Sequence, residues 1–454
     1  DEVRRFLKND GTGNILKHIA GSEDMYNDVG GPHNSINFIV AHDGLTLTDL
    51  VSFPIYGSES KEKYNKQAWP FGPSDGGSDG NDCWDSTGLE TKTWYKAGNY
   101  NTQAFRRQRL RNFWVLQMFS RGVPMIVWGD EYGRTQNGNN NPYNVDSVAT
   151  WSNYNMINTD SPHTVSTGGG GKYTNSLGTD VVKDNKNNIF LFSSKLMNFR
   201  LSEELLRQDD YTSVVYNFSY KNGGTAKPNE KSSDIMVTIK KAGATNPTYA
   251  MCICRNENAP QTFNLPSPGN GYAWTKFIDT SYAAETVGNI YTEENTVAAT
   301  SLQEVVPPQS IVVYKLVEVS GLTYIAAPTI TAESEIYNYL NPPEVTITCE
   351  TAGATIYYSI NGGDPIQYSD PFKLPAAEGT YVITAYGKLG ENSIPAYSSK
   401  TFTATKETVV TVYFDNTNTN WSKVACYQWD AKGNKPADWP GTEMTKVGST
   451  NYYS

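Results

Sequence analysis

Two apolar runs, Ile36-Asn37-Phe38-Ile39-Val40-Ala41 and Pro124-Met125-Ile126-Val127-Trp128, flank a segment whose apolar residues recur with helical spacing. Near-continuous apolar runs of this length read as strands of a parallel sheet buried on both faces. Between them, Thr102 to Arg121 places Phe105, Leu110, Phe113, Trp114, Leu116 and Phe119 at the helical period, with Arg and Gln filling the polar face. Strand, helix and strand in one sheet make a βαβ unit, so residues 1–205 are predicted as α/β. A second helix is expected over Asn188–Leu206, after a long loop that includes Gly168 to Gly171. The opening residues Asp1 to Leu7 read as helix already under way, and the chain is expected to be a fragment of a longer protein.

Beyond residue 206 the helical period disappears and short alternating segments replace it. Asp234–Ile239, Tyr249–Cys254, Thr275–Ile278 and Ser310–Tyr314 predict an antiparallel β-sandwich over 206–318. A smaller sandwich is expected over 319–405, carried by Val345–Thr348, Ala354–Ile360, the Gly362-Gly363 turn and Tyr381–Tyr386. A fourth segment, 406–454, begins with Val409–Phe414 and Val424–Trp429 and stops without a closing loop. The fold class is therefore α/β plus all-β, and at roughly 150 residues per domain the length of 454 demands several cores.

Composition narrows the possible partners. Lys plus Arg is 37 against Asp plus Glu at 47, a net charge of −10, so no nucleic-acid partner is expected. No apolar run approaches the roughly 20 residues of a membrane span. Thirty Tyr and ten Trp favour aromatic-lined surfaces. The five cysteines, Cys83, Cys252, Cys254, Cys349 and Cys426, are odd in number and scattered, so they write no disulfide framework. Cys252 and Cys254 share a strand face, but two thiols without a nearby His are too few for zinc, and a structural role is expected.

Candidate chemistry gathers where the two apolar runs end, because loops at the carboxyl ends of parallel strands converge on one pocket. The first run ends in Ala41-His42-Asp43-Gly44 and the second in Trp128-Gly129-Asp130-Glu131-Tyr132-Gly133. Periodicity alone leaves His42 and Asp43 open between a shared site and simple capping of the following loop.

These two segments carry a resemblance. Asn37 to Ser52, followed by Gly122 to Tyr143 with its Asp130-Glu131 and Asn139-Asn140-Asn141, resembles the isoamylase and glycogen-debranching branch of glycoside hydrolase family 13. Trp69 to Gly77, Arg106 to Asn112 and Asp1 to Lys8 agree with it, and the likeness extends more weakly to about residue 318. It implies the last strands of a (β/α)₈ barrel, with the Asp nucleophile and Glu acid/base of a retaining mechanism on earlier strands, outside this chain. Asp43 matches the carboxylate that stabilises the transition state through the sugar hydroxyls, and His42 the adjacent substrate-binding histidine. Asp130 and Glu131 are expected to support neighbouring loops rather than act on substrate. The implied reaction is cleavage of α-1,6 branches in starch or glycogen, with an α-1,4-acting relative as the alternative because the Phe53–Gly88 loop departs from the pattern. With its catalytic pair absent, the fragment is expected to be inactive alone, and a non-catalytic starch-binding protein is the reading from a different class. A barrel remnant of two or so strands is also expected to fold poorly in isolation.

Residues Pro328 to Ala404 resemble the fibronectin-like domain of chitobiase-type proteins, a spacer. Val409 to Ser454 resembles a truncated starch-binding module of carbohydrate-binding family 26, in which Tyr427 and Trp439 form the sugar platform while Trp421 and Trp429 are divided between platform and core. Together these modules imply a secreted protein acting on α-glucan outside the cell. No cofactor is expected beyond a candidate Ca²⁺ loop at Asp75–Asp82, which lacks the terminal Glu of an EF-hand. Gly168 to Lys172 is followed by Tyr173 where a phosphate loop needs Ser or Thr. His18, His33 and His163 have no ligand-like spacing.

Overall fold

The βαβ unit is present in shortened form. Strand β1 (Ile36–Asn37) and strand β2 (Val123–Pro124) are hydrogen-bonded in parallel, Ile36 opposite Val123 and Asn37 opposite Pro124. The computed structural model describes residues 2–9, 13–42, 44–52, 91–97, 101–136, 151–158, 164–168, 171–174, 177, 182–183, 186–226, 234–292, 297–298, 301–406, 412–429 and 435–454. Among these residues this sheet consists of the β1–β2 pair. The expectation of strands buried on both faces needs correction. Ile36, Phe38, Val123 and Met125 are 40–50% exposed, whereas Ile39 and Val40 are buried.

Helix α1 (Thr102–Phe119) connects the pair. Its first turn is capped by Asn101, whose side-chain oxygen accepts the Ala104 N–H at 2.8 Å. It ends at Ser120, two residues before a glycine that no other residue replaces easily. Gly122 sits at φ +115°, and a Cβ there would lie 2.5 Å from the Ser35 carbonyl oxygen. That close approach lets β2 start beside β1. Helix α2 (Asn188–Ser202) has the matching cap, Asn187 accepting the Phe190 N–H at 2.6 Å. Near its other end, the Arg200 guanidinium donates to the carbonyls of Met118, Ser120 and Gly122, tying α2 to the exit of α1.

Downstream, the alternating segments form one six-stranded sheet in the order Val297–Ala298, Tyr272–Asp279, Ser310–Glu318, Tyr249–Cys254, Ile235–Lys241, Val214–Tyr220. The ladders are antiparallel throughout. Strict alternation sorts its side chains between two cores. Ile235, Val237, Ile239, Tyr249, Met251, Ile253, Ile311 and Val313 join Phe113, Leu116, Phe119, Phe192 and Leu196 of the two helices. Met236, Ala250, Cys252, Cys254, Val312 and Tyr314 face the other way, onto Phe263, Leu265 and Val306 of a two-stranded layer, Gln261–Asn264 with Gln303–Val306. The thiols of Cys252 and Cys254 are core atoms, and burial pushes the Cys254 thiol up to about 12, far from thiolate chemistry at neutral pH.

The polar face of α1 is the larger surprise. Arg107, Gln108, Arg109, Arg111 and Asn112 are all buried. Glu285 takes two bonds from Arg107, at 2.8 and 3.0 Å, and one from Arg111 at 2.7 Å. Arg111 also donates to the Thr280 carbonyl and the Asn188 side chain. Gln108 and Asn112 donate to the Gln309 carbonyl at 2.9 and 2.7 Å, and Thr280 bonds Asn112 at 2.6 Å. Buried charge costs several kcal/mol per ion unless paired and hydrogen-bonded; here both arginines are paired with Glu285, while the Arg111 Nη2 is buried without a hydrogen-bond partner among the described residues.

The chain divides into two compact units, residues 1–326 with 388–396 and residues 327–387 with 397–454. In the second, a three-stranded sheet (Thr329–Thr331, Glu344–Thr348, Phe372–Lys373) and a five-stranded sheet (Ile336–Asn338, Tyr397–Thr405, Gly379–Lys388, Thr355–Ile360, Ile366–Gln367) enclose Tyr337, Val345, Ile347, Ile383 and Phe402. The last segment holds two short pairs, Phe414–Asp415 with Tyr452–Tyr453 and Ala425–Cys426 with Thr442–Glu443.

Removing Glu285 leaves two guanidinium groups buried without their counter-ion. Glu285→Ala is expected to lower the unfolding free energy of the first unit by about 3–5 kcal/mol, read from urea unfolding of the chain. A loss below about 1 kcal/mol would show that the cluster does not hold α1 to the sheet.

Candidate active site

Because β1 and β2 run parallel, the segments that follow them, residues 41–42 with 44–50 and residues 128–136, emerge at the same end of the sheet. Gln117 of α1 donates to the carbonyls of Asn37 and Met125, at 3.0 and 2.7 Å, which fixes both strands just before those loops begin.

The first loop turns into a one-turn helix, Leu47–Leu50, capped by Thr46, whose hydroxyl accepts the Asp49 N–H at 3.1 Å. Four hydrogen bonds then stitch it to the second loop. The Asp130 carboxylate accepts the Leu47 N–H at 3.0 Å. The Asp49 carboxylate accepts the Gln136 N–H at 2.7 Å and the Thr135 hydroxyl. Gln136 returns a side-chain bond to the Gly44 carbonyl at 3.0 Å. The second loop is also braced within itself. Gly129 lies at φ +95° with its Cβ position 2.6 Å from the Arg134 side chain, and its N–H donates to the Glu131 carboxylate at 2.8 Å.

Asp130 is the unusual group electrostatically. It is 3% exposed, and burial raises its carboxyl to about 7, only partly offset by the Leu47 N–H and the nearby Arg134. It lies beside a very small internal cavity lined by Val40, Leu47, Trp114 and Ile126. That geometry makes Asp130 a support for the 44–50 loop.

His42 is exposed at the carboxyl end of β1. Asp43 lies outside the described residues, as do Asp75–Asp82, the Phe53–Gly88 loop and His163. Sequence reasoning missed Asp49, Thr135 and Gln136. The Thr46-x-x-Asp49 spacing was a visible helix-start signal, but nothing local tells that the Asp49 carboxylate reaches across 87 residues to Gln136. His18 is a local contact, its Nδ1 2.9 Å from the Ser22 hydroxyl and its Nε2 3.2 Å from Glu2.

In the second unit the predicted platform residues do come together. The rings of Tyr427 and Trp439 are 5.5 Å apart in a T-shaped arrangement, with Trp429 5.7 Å from Tyr427 and Lys435 5.9 Å over the Tyr427 ring. Trp429 and Trp439 are 67% and 77% exposed, so neither is a core residue. Trp421 instead stacks on Phe414, centroids 5.3 Å apart, and is itself 55% exposed. Val424, the residue before the Ala425–Cys426 strand, is buried. Among the described residues no group of His, Cys, Asp and Glu is arranged to hold a metal ion.

Comparison with known proteins adds the following. A family model described as Fn3 associated matches residues 345–403. An isoamylase from Flavobacterium sp. is 31% identical over 291 residues, covering 59% of this chain and 31% of that protein. A glycogen operon protein GlgX homolog from Mycobacterium tuberculosis is 36% identical over 160 residues, covering 35% of this chain and 20% of that protein. The catalytic module of the glycogen-degrading pneumococcal virulence factor SpuA covers 66% of this chain and 39% of its own at 16% identity, with a TM-score of 0.35. The chain thus spans about a third or less of the length of the curated relatives it matches.

The Asp130 carboxyl titrates higher in the folded protein than its ordinary value near 4 in the unfolded chain. Between those values the unfolded state has lost a proton that the folded state keeps, so this group removes stability as pH rises from about 4 to about 7. Asp130→Asn keeps an acceptor for the Leu47 N–H and is expected to gain melting temperature over the wild type progressively across that window. Parallel curves from pH 4 to 8 would exclude a raised Asp130.

Proposed function

We propose that this chain is part of an α-glucan hydrolase of the isoamylase-like debranching type, with Asp43 as its transition-state carboxylate. The observation that carries the reading is the pairing of β1 with β2. His42 and Gly44, the sequence neighbours of Asp43, and the Gly129-Asp130-Glu131 motif follow the paired strands at one end of the sheet, in loops joined by Asp49, Asp130 and Gln136, which supports the reading. The likeness of the chain to the Flavobacterium isoamylase supports it.

In this reading Asp43 accepts hydrogen bonds from sugar hydroxyls at the cleaved residue. Those bonds strengthen as positive charge develops toward the oxocarbenium-like transition state, so they lower the barrier more than they tighten ground-state binding. His42, exposed beside it, donates to the same sugar. The nucleophile and acid/base of the retaining double displacement belong to barrel strands that precede residue 1 in the complete protein. The chain's own contribution is to orient the sugar and to brace the loops, and by itself it does not cleave. The α-1,6 bond is the preferred linkage.

The aromatic group of Tyr427, Trp439 and Trp429 is read as a starch-binding surface, since flat apolar sugar faces stack on exposed rings while their hydroxyls stay hydrated. The Fn3-associated segment is its spacer. Such a tether raises the local concentration of a granular substrate and suits action outside the cell.

The complete protein is expected to release linear chains from amylopectin and pullulan, and Asp43→Asn to reduce that release by about a hundredfold to a thousandfold, as loss of a transition-state contact does, with starch retention unchanged. Tyr427→Ala with Trp439→Ala is expected to do the reverse: starch retention falls while turnover of soluble pullulan stays within about twofold. Full activity in Asp43→Asn would remove Asp43 from the mechanism.

A further inference from the structure

Trp128 is the last residue of the second apolar run and is 67% exposed, a placement that burial cannot explain. Single exposed apolar residues are ordinary. This one is fixed. Its indole Nε1 donates to the Tyr154 hydroxyl at 3.1 Å, and Tyr154 is itself 55% exposed. The Tyr154 ring lies 5.9 Å from that of Tyr132, which is buried.

The turn that presents Tyr154, residues Tyr154–Ile157, is anchored from below. Met156 packs in a small core with Tyr132, Phe190 and Ile157. Asn187, the cap of α2, donates to the carbonyls of both Tyr132 and Met156, and Lys186 bonds Asn158 at 2.9 Å. The two rings are therefore held on rigid supports, and little side-chain entropy remains to be lost when something docks on them.

The chemistry of the pair selects its occupant. Because the indole N–H is spent on Tyr154, Trp128 offers an apolar ring face. The tyrosine hydroxyl accepts that proton and keeps its own hydrogen as a donor. A flat apolar face beside a directed hydroxyl suits a pyranose ring, which has a C–H face and a rim of hydroxyls. Position adds continuity. Trp128 follows β2 by four residues and His42 follows β1 by five, both past the carboxyl ends of the parallel pair, and Trp128 is two residues before Asp130.

We propose that Trp128 and Tyr154 form an aromatic α-glucan subsite next to the loops that carry His42 and Asp43. This rests on the α-glucan reading above and adds to it a binding position that is separate from the Tyr427 and Trp439 surface.

The test uses the full chain carrying Tyr427→Ala, Trp429→Ala and Trp439→Ala, so that the terminal aromatic group is silent, with maltohexaose as probe and cellohexaose as control. Binding is read by isothermal titration and by tryptophan fluorescence. Maltohexaose is expected to bind and cellohexaose not to. Trp128→Ala should then weaken binding by about tenfold, the upper end for one aromatic contact, and Tyr154→Phe, which keeps the ring but loses the hydroxyl, by about threefold. Far-ultraviolet dichroism should be unchanged in both, because the side chains are exposed. Unchanged affinity in Trp128→Ala overturns the subsite. So does a Trp128→Ala variant that alters sedimentation but not sugar binding, which would make the pair a contact between copies of the chain. Absence of maltohexaose binding in the silenced parent overturns it as well. Starch retention by the intact chain then separates the two readings: if retained, α-glucan recognition stands without the subsite, and if lost, both fall.

Discussion

The Glu285 carboxylate binds two arginines of one helix, and the geometry of the first unit follows from that arrangement. Arg107 and Arg111 lie four residues apart, so their guanidinium groups leave the same face of α1 and converge on one acceptor. Neither charge can return to water, since both side chains are almost completely buried. Each is bonded instead to backbone as well as carboxylate, Arg107 to the Leu177 carbonyl and Arg111 to that of Thr280. Hydrophobic burial is tolerant of sliding and rotation, but a bidentate guanidinium contact is not. The cluster therefore fixes the rotation and depth of α1 against the 279–289 and 307–311 segments, while its apolar face fills the sheet-facing core.

From that fixed helix the candidate site is built outward. Gln117 holds the last residue of β1 and the residue that follows β2, and Arg200 holds the turn between α1 and β2. The strand-end loops depart from defined positions, and their short links through Asp49, Asp130 and Gln136 can form without long flexible closures. The two linking carboxylates differ in kind. Asp49 meets a hydroxyl and a backbone N–H, whereas Asp130 meets one N–H in a desolvated position and has its carboxyl raised accordingly. The loop junction is thus pH-sensitive through one residue of the pair, within the physiological range.

Much of this was legible in the sequence where a period or a cap encodes it. Tyr249–Cys254 appears as a strand over the expected residues, and α1 and α2 begin where they were expected to begin. The alternation of Cys252 and Cys254 against Met251 and Ile253 correctly separated two faces, although only the structure shows that both faces are buried. The apolar runs at β1 and β2 misled, because a run of hydrophobic residues specifies the faces a full sheet would cover. With two strands described, Ile36, Phe38, Val123 and Met125 remain exposed on one of them. The RRQRLRN stretch misled in the opposite direction. Its polarity reads as a solvated face, and no local signal announces a carboxylate that arrives from Glu285, more than 170 residues later. Long-range polar networks are invisible to periodicity for that reason.

Exposed aromatics occur in both units, and their supports differ. Trp128 and Tyr154 stand on a turn anchored by Asn187 and by a small core of Tyr132 and Met156, so their orientation is inherited from α2 and ultimately from the buried arginine cluster. Tyr427, Trp429 and Trp439 stand on short strand pairs above a segment whose buried hydrophobic residue, among those described, is Val424. A rigid pair at a strand end can discriminate among sugars by fit, because misalignment there cannot be relieved by movement of the support. A shallower platform gains less from fit and more from accessibility, which suits capture of a polymer that offers many equivalent sites. On the proposed α-glucan reading the two aromatic sets are not redundant: the first would serve register beside the candidate site, the second retention on the polymer.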